Sequence, residues 1–236
     1  MILPQAYMDV QPQNFVKETI SVQGLIGAGK STLVKILRTK TDKLEKIFGY
    51  PVFFVNEPVD EWNKPEYDGK SALEVFYSDK ERYKFTFQIL AFTTRLDAIQ
   101  KETSKLKQLS TCISDRSMLS DKEIFLEYFI DDIDKLELNT YNRLYDFSCA
   151  NFNKTEKRII YVESTPEECM VRIQKRNAGG DTGIPLEYLQ AHDLLHKRMI
   201  DKFEKNGGIV YRIKPPYFED NTLLEKYIDD FLETIK

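Results

Sequence analysis

The sequence predicts an α/β domain, a five-stranded parallel sheet with helices on both faces, spanning residues 1–236 without a linker. Two observations predict it. Short apolar and β-branched runs alternate with stretches of helical spacing along nearly the whole chain. The first run, Thr19-Ile20-Ser21-Val22-Gln23, leads into Gly24-Leu25-Ile26-Gly27-Ala28-Gly29-Lys30-Ser31-Thr32, and Leu33, Val34, Ile36 and Leu37 follow at helical spacing. Strand, glycine loop and helix in that order are the context in which G-x-x-x-x-G-K-[ST] cradles phosphate. The glycines let successive backbone N–H groups turn toward an anion, and the helix N-terminus adds partial positive charge. Lys30 can then reach the β/γ-phosphates and the Ser31 hydroxyl can ligate Mg²⁺, which points to a nucleoside triphosphate.

The remaining elements follow in order. Residues 1–17 hold Pro4 and Pro12 without clear periodicity and read as a tail or edge segment. A second strand at Val52-Phe53-Phe54-Val55-Asn56 delivers Glu57-Pro58-Val59. Residues 71–106 are helix-rich, with Phe85, Ile89, Phe92 and Leu96 on one face. A third strand, Thr111-Cys112-Ile113-Ser114, ends in Asp115-Arg116, and helical segments cover about 120–131 and 135–152. A fourth strand occupies Arg158–Val162, and a helix capped by Ser164 or Thr165 runs from Pro166 to Arg172 and Arg176. Asn177 to Gly183 is a loop by composition, so residues 172–183 read as a cationic lid. A helix from Pro185, a fifth strand at Ile209–Ile213 and an amphipathic helix around Leu223–Leu232 close the chain.

Composition narrows the function classes. A formal charge of −4 and a pI near 5.5 argue against a nucleic-acid polymer as partner. No run reaches the roughly 18 apolar residues of a membrane span, and no secretory signal is present, so neither membrane nor secretion is expected. Cys112, Cys149 and Cys169, with no C-x-x-C pair, suit an intracellular, cytoplasmic protein with reduced thiols.

Ligands gather at the carboxyl ends of parallel strands, and three predicted strand ends carry charged groups: Lys30, Glu57 and Asp115-Arg116. An Asp ending a strand beside such a loop commonly holds Mg²⁺. Arg172 and Arg176 are four apart on one helical face and can close over transferring phosphate. Two patterns are decoys. His192 and His196 sit at i, i+4 as in zinc proteases, but Asp193 replaces the glutamate base and no third ligand is evident, which leaves surface or half-buried helix histidines. Thr39-Lys40-Thr41-Asp42 imitates a guanine-specificity motif, but it lies directly after the loop helix and no D-x-x-G switch accompanies it.

Five short motifs in order resemble the deoxyribonucleoside kinase family over residues 19–235. They are the glycine loop; Glu57-Pro58-Val59 with Trp62; Tyr77 followed by Phe85-Thr86-Phe87-Gln88; Asp115-Arg116-Ser117 with Ser120-Asp121; and Gly183-Ile184-Pro185-Leu186-Glu187-Tyr188-Leu189. The resemblance implies a P-loop kinase fold with an arginine-bearing lid, ATP or another triphosphate as donor with Mg²⁺, a deoxynucleoside acceptor in nucleotide salvage, and a homodimer formed through helices between 120 and 152.

It also implies roles. Glu57 takes the proton of the 5′-OH, Arg116 holds that group, and Asp115 organises Mg²⁺ or acts as the base itself. Tyr77 and Asp181 bind the 3′-OH. Gln88 faces the base edge, Phe87 and Phe125 pack against the base, and Leu73 and Trp62 line the pocket. Pro215-Pro216-Tyr217-Phe218 lies where the family packs the donor base. The family's lid usually carries three arginines, and Ala178 stands in the place of the last; Lys175 can compensate for the charge but not for the bidentate fork.

Arg95, two helical turns after Gln88, and Asp121, in a turn, resemble the deoxycytidine and purine kinases. Physically, a carboxylate held by Arg95 can accept from an exocyclic amino group, which thymine lacks. Two rival readings share the loop. A nucleoside monophosphate kinase needs more cations for its acceptor than Arg116 alone, and a non-catalytic nucleotide-binding module has no use for Glu57 beside Asp115-Arg116.

Overall fold

The computed structural model describes residues 15–152, 156–176, 183–214 and 220–235. Five strands, β1 (Val16–Gln23), β2 (Val52–Val55), β3 (Ser110–Asp115), β4 (Glu156–Val162) and β5 (Ile209–Ile213), form one sheet in the order β2-β3-β1-β4-β5. Every pairing is parallel, as the sequence predicts. β1 starts at Val16, so the end of the predicted tail is strand. Pairing with Ser110 of β3 holds it there, where the sequence offers no alternation to read.

Alternate residues of each strand sort to two cores. Ile20, Val22, Ile113, Ile160, Val162 and Ile213 pack with α1 (Lys30–Thr39), α8 (Pro166–Arg176), the start of α9 (Leu186–Lys205) and α10 (Asn221–Thr234). On the other face Ile159, Tyr161 and Val210 meet the far half of α9. That second face is polar in its centre. Gln23 Nε2 donates to Ser21 Oγ at 2.9 Å and Ser117 Oγ at 3.2 Å, and Ser21 Oγ donates to Glu156.

α2 (Thr41–Phe48) follows α1 directly and leads into β2, and α3 (Val59–Trp62), α4 (Ala72–Ser78) and α5 (Lys80–Thr103) connect β2 to β3. Ser71 and Glu74 form a capping box on α4, and Asp79 separates it from α5 by capping Arg82 N–H at 3.0 Å. After β3 the expected helix over 120–131 is instead three short pieces. These are α6 (Met118–Ser120), a π-helical turn over Asp121–Leu126 and a 3₁₀ segment over Glu127–Asp132, before α7 (Lys135–Phe152). Apolar spacing reports a helix but does not distinguish the wider π turn, which tertiary packing selects at functional places. Asp121, expected in a turn, opens the π-helical segment.

Candidate active site

The glycine loop leaves β1 in a conformation that side chains resist. Gly24 has φ +149° and a Cβ there would stand 2.7 Å from the Val162 carbonyl oxygen. Gly27 has φ +81° and its Cβ would meet the Cys169 carbonyl oxygen at 2.8 Å. The loop is thus wedged between β4 and α8, and only glycine fits both places. Lys30 folds back so that Nζ donates to the Leu25 carbonyl at 2.9 Å. Burial, aided by the Arg116 cation, lowers its ammonium to about 8.

β2 and β3 bring the charged strand ends to the same place. Ser31 Oγ donates to Asp115 Oδ2 at 2.7 Å, while Asp115 Oδ1 is buried with no hydrogen-bond partner. Burial and the nearby Glu57 charge push the Asp115 carboxyl up. Burial also works against the Glu57 charge, but Arg116, Arg95 and Lys30 outweigh it and hold that carboxyl below its usual range. Glu57 Oε1 lies 3.3 Å from Arg116 Nε and 3.1 Å from Arg95 Nη2. Arg116 sits at φ +63°, a left-handed conformation that costs a non-glycine residue about 1–3 kcal/mol unless its surroundings fix it.

A cavity of about 300 Å³ opens beside these groups. From the loop side it is lined by Ile26, Gly27, Gly29, Lys30, Ser31 and Thr32. Glu57, Arg116, Arg172 and Arg176 supply its charged wall, and Trp62, Leu73, Tyr77, Phe87, Gln88 and Phe125 its apolar end. Phe87 meets Trp62 edge-on at 5.8 Å between centroids, and Trp62 Nε1 donates to Thr94 at 2.9 Å. Arg172 Nη1 donates to Ser164 Oγ at 3.0 Å, placing this cation at the end of β4.

Some expected site residues stand elsewhere. Gly24, Leu25 and Ala28 shape the loop from behind and do not line the cavity. Arg95 and Asp121 form a buried pair behind its wall, with Nε to Oδ2 at 2.7 Å and Nη2 to Oδ1 at 3.1 Å. Arg95 Nη1 also donates to the Asp115 carbonyl at 3.0 Å, so one guanidinium ties together α5, β3, the π turn and Glu57. Asp181, Ala178 and Pro215–Phe218 lie outside the described residues.

Three lining residues escaped the sequence reading: Val59, Phe76 and Tyr188. Phe76 stacks on Phe87 at 4.6 Å, and its signal was the apolar face of α4 next to Tyr77. Val59 and Tyr188 stand inside the quoted motifs. His192 and His196 are buried, at 2% and 0% exposure, and are not surface or half-buried; docking of α9 against the sheet encloses them. No cluster of three metal-binding side chains occurs among the described residues.

A nucleotide loop, a carboxylate held by two guanidiniums, and an aromatic slot with one amide on a single cavity suit phosphoryl transfer to a small planar-ringed acceptor. Comparison with known proteins agrees. The family model described as deoxynucleoside kinase matches residues 20–235. A bovine deoxycytidine kinase is 32% identical, covering 92% of this chain and 91% of its own. A fowlpox virus protein named a probable deoxycytidine kinase is 34% identical, over 86% and 77%. Human mitochondrial thymidine kinase 2 is 28% identical, over 82% and 68%. The chain therefore belongs to the deoxynucleoside kinase family, a P-loop enzyme that transfers phosphate from a nucleotide donor to a deoxynucleoside in salvage.

Proposed function

We propose that the chain phosphorylates the 5′-OH of deoxycytidine and/or purine deoxynucleosides in preference to thymidine, with ATP as donor. The observation that carries the reading is the position of Glu57, which lines one cavity together with Lys30, Ser31 and Gln88. Phosphoryl transfer asks a protein chiefly for positioning and charge stabilisation. Backbone N–H groups of the loop and Lys30 hold the donor phosphates. Glu57 accepts the 5′-OH proton as that oxygen bonds to the γ-phosphorus and the bond to the β-bridging oxygen breaks. Arg116 fixes Glu57, and Arg172 and Arg176 offset charge on the equatorial oxygens. Tyr77, with Asp181, takes the 3′-OH, Phe87 and Phe125 the base faces, and Trp62 and Leu73 the pocket wall.

Ser31 and the unpartnered Asp115 Oδ1 suit Mg²⁺, which typically uses one or two protein oxygens and completes its shell with water and phosphate. An ion held there would neutralise charge on the donor phosphates during transfer. Base choice rests on Asp121, which Arg95 keeps oriented behind the cavity wall.

Two further readings complete the proposal. Leu136 and Phe147, 76% and 68% exposed on α7, suit a homodimer through that helix. The cysteines form no disulfide, in keeping with a cytoplasmic, single-domain protein, and no described helix is long and apolar enough to cross a membrane.

Steady-state rates with four deoxynucleosides, dCMP and dTMP at equal concentration test the reading. Deoxycytidine or a deoxypurine is expected to turn over fastest, and thymidine or a monophosphate in that place overturns it. The Lys30 ammonium gives a second check. It is charged below about 8 and neutral above, so kcat/KM for ATP should hold through neutral pH and fall as pH rises past that value. A flat profile to pH ~9.5 contradicts a phosphate role for this charge.

A further inference from the structure

The two buried histidines of α9 take no part in the chemistry above, yet one touches the residue that holds Glu57. His192 Nδ1 lies 2.8 Å from the Tyr188 carbonyl and His196 Nδ1 lies 2.7 Å from the His192 carbonyl. A carbonyl only accepts, so each Nδ1 carries the proton, and in a neutral ring Nε2 is left as an acceptor. Arg116 Nη1 points at His196 Nε2 from 3.4 Å. Burial, together with the Arg116 cation, keeps His196 far below its ordinary range and hence neutral. A protonated ring would turn a donor and a positive charge against the guanidinium.

Arg116 thus has three contacts that define its plane. Glu57 lies in front at 3.3 Å, the Phe125 ring below at 4.8 Å from the guanidinium carbon, and His196 behind. The backbone at Arg116 is fixed at φ +63°, with its N–H donating to the Val22 carbonyl at 3.0 Å, and the contacts along the long side chain orient the guanidinium. We propose that His196 is a positioning residue: its Nε2 holds the Arg116 guanidinium against Glu57 in the geometry that transfer requires. The inference rests on the roles given above to Glu57 and Arg116. A ring that merely fills space on α9 would make no demand on the atom facing Arg116, and that difference is measurable.

Asparagine and glutamine separate the two nitrogens. In His196→Asn the amide nitrogen replaces Nδ1 and keeps the bond to the His192 carbonyl, with nothing in the place of Nε2. In His196→Gln the carbonyl oxygen reaches the place of Nε2 and accepts from Arg116. Both variants are compared with wild type for kcat with its best deoxynucleoside, KM for ATP and thermal midpoint. His196→Asn is expected to lose about tenfold or more in kcat, since displacements near 1 Å can cost about 10²-fold, with KM for ATP within about twofold. His196→Gln is expected to stay within about threefold of wild type in kcat.

Equal kcat in the two variants, whether both wild-type or both impaired, overturns the role. If His196→Asn does not fold, His196→Leu replaces it with the same loss expected, and wild-type kcat there overturns the proposal. A wild-type protein that phosphorylates no deoxynucleoside refutes the reading of the site itself, a result separate from active wild type with indistinguishable variants.

Discussion

Glu57→Gln is expected to lower kcat by about 10²–10⁴-fold while KM for ATP changes little. The substitution keeps the shape of the side chain and an oxygen that can accept from Arg116 and Arg95, so the architecture around it persists. What it removes is the proton acceptor. Glu57 is held ionised by Arg116, Arg95 and Lys30 despite its burial, and an amide cannot take the 5′-OH proton. The donor phosphates are bound by the loop and Lys30, which the substitution leaves in place. Steady-state kinetics on the purified variant checks this. Near-wild-type turnover would move the base role to Asp115 or to solvent.

The second large effect concerns Arg95. It is 2% exposed and compensates Asp121 and Glu57 while capping the Asp115 carbonyl. Arg95→Met strips Asp121 of its paired guanidinium in a poorly solvated place and leaves Glu57 with Arg116 as its one guanidinium partner. Breaking a buried pair from one side destabilises by about 3–5 kcal/mol, which for a chain of this size lowers the melting temperature by roughly 10 °C. Adding Asp121→Ala removes one stranded carboxylate and should restore much of that loss. The double variant should also shift preference toward thymidine, because the carboxylate that favours an exocyclic amino group is then gone. Calorimetry and the ratio of thymidine to deoxycytidine turnover read both effects. An unchanged ratio in the folded double variant means that these side chains do not read the base.

Much of the fold is legible because its signals are local. Alternating apolar residues around Ile20 and Val22, and the glycine loop between them and Leu33, specify strand, turn and helix within twenty residues. The five strands fall where their apolar runs lie, and parallel pairing follows from the helices between them. The pieces around residue 121 are not legible, because a π turn and an α-helix share one apolar stripe and differ only in how α5 and α9 press on it. Phe76 reads as ordinary core until α4 is seen to turn it onto Phe87.

The two histidines show the same boundary. Their spacing is visible in the sequence, and it suggests a metal pair to be dismissed. Their burial and the direction of His196 toward Arg116 exist only once α9 docks beneath the end of β3. Arg95 and Asp121 were singled out through resemblance, since twenty-six residues separate them and no local pattern couples them. Their place behind the cavity wall, which leaves Gln88 in front, required the fold.

Transfer by this site requires the Glu57 carboxylate to meet a primary alcohol of the sugar next to phosphates seated in the loop. A crystal structure with deoxycytidine, ADP and Mg²⁺ tests it most directly. The 5′-oxygen is expected within about 3.2 Å of a Glu57 carboxylate oxygen, with the ADP phosphates on the backbone of residues 24–31. A nucleoside seated with its 5′-carbon turned away from Glu57 would contradict it.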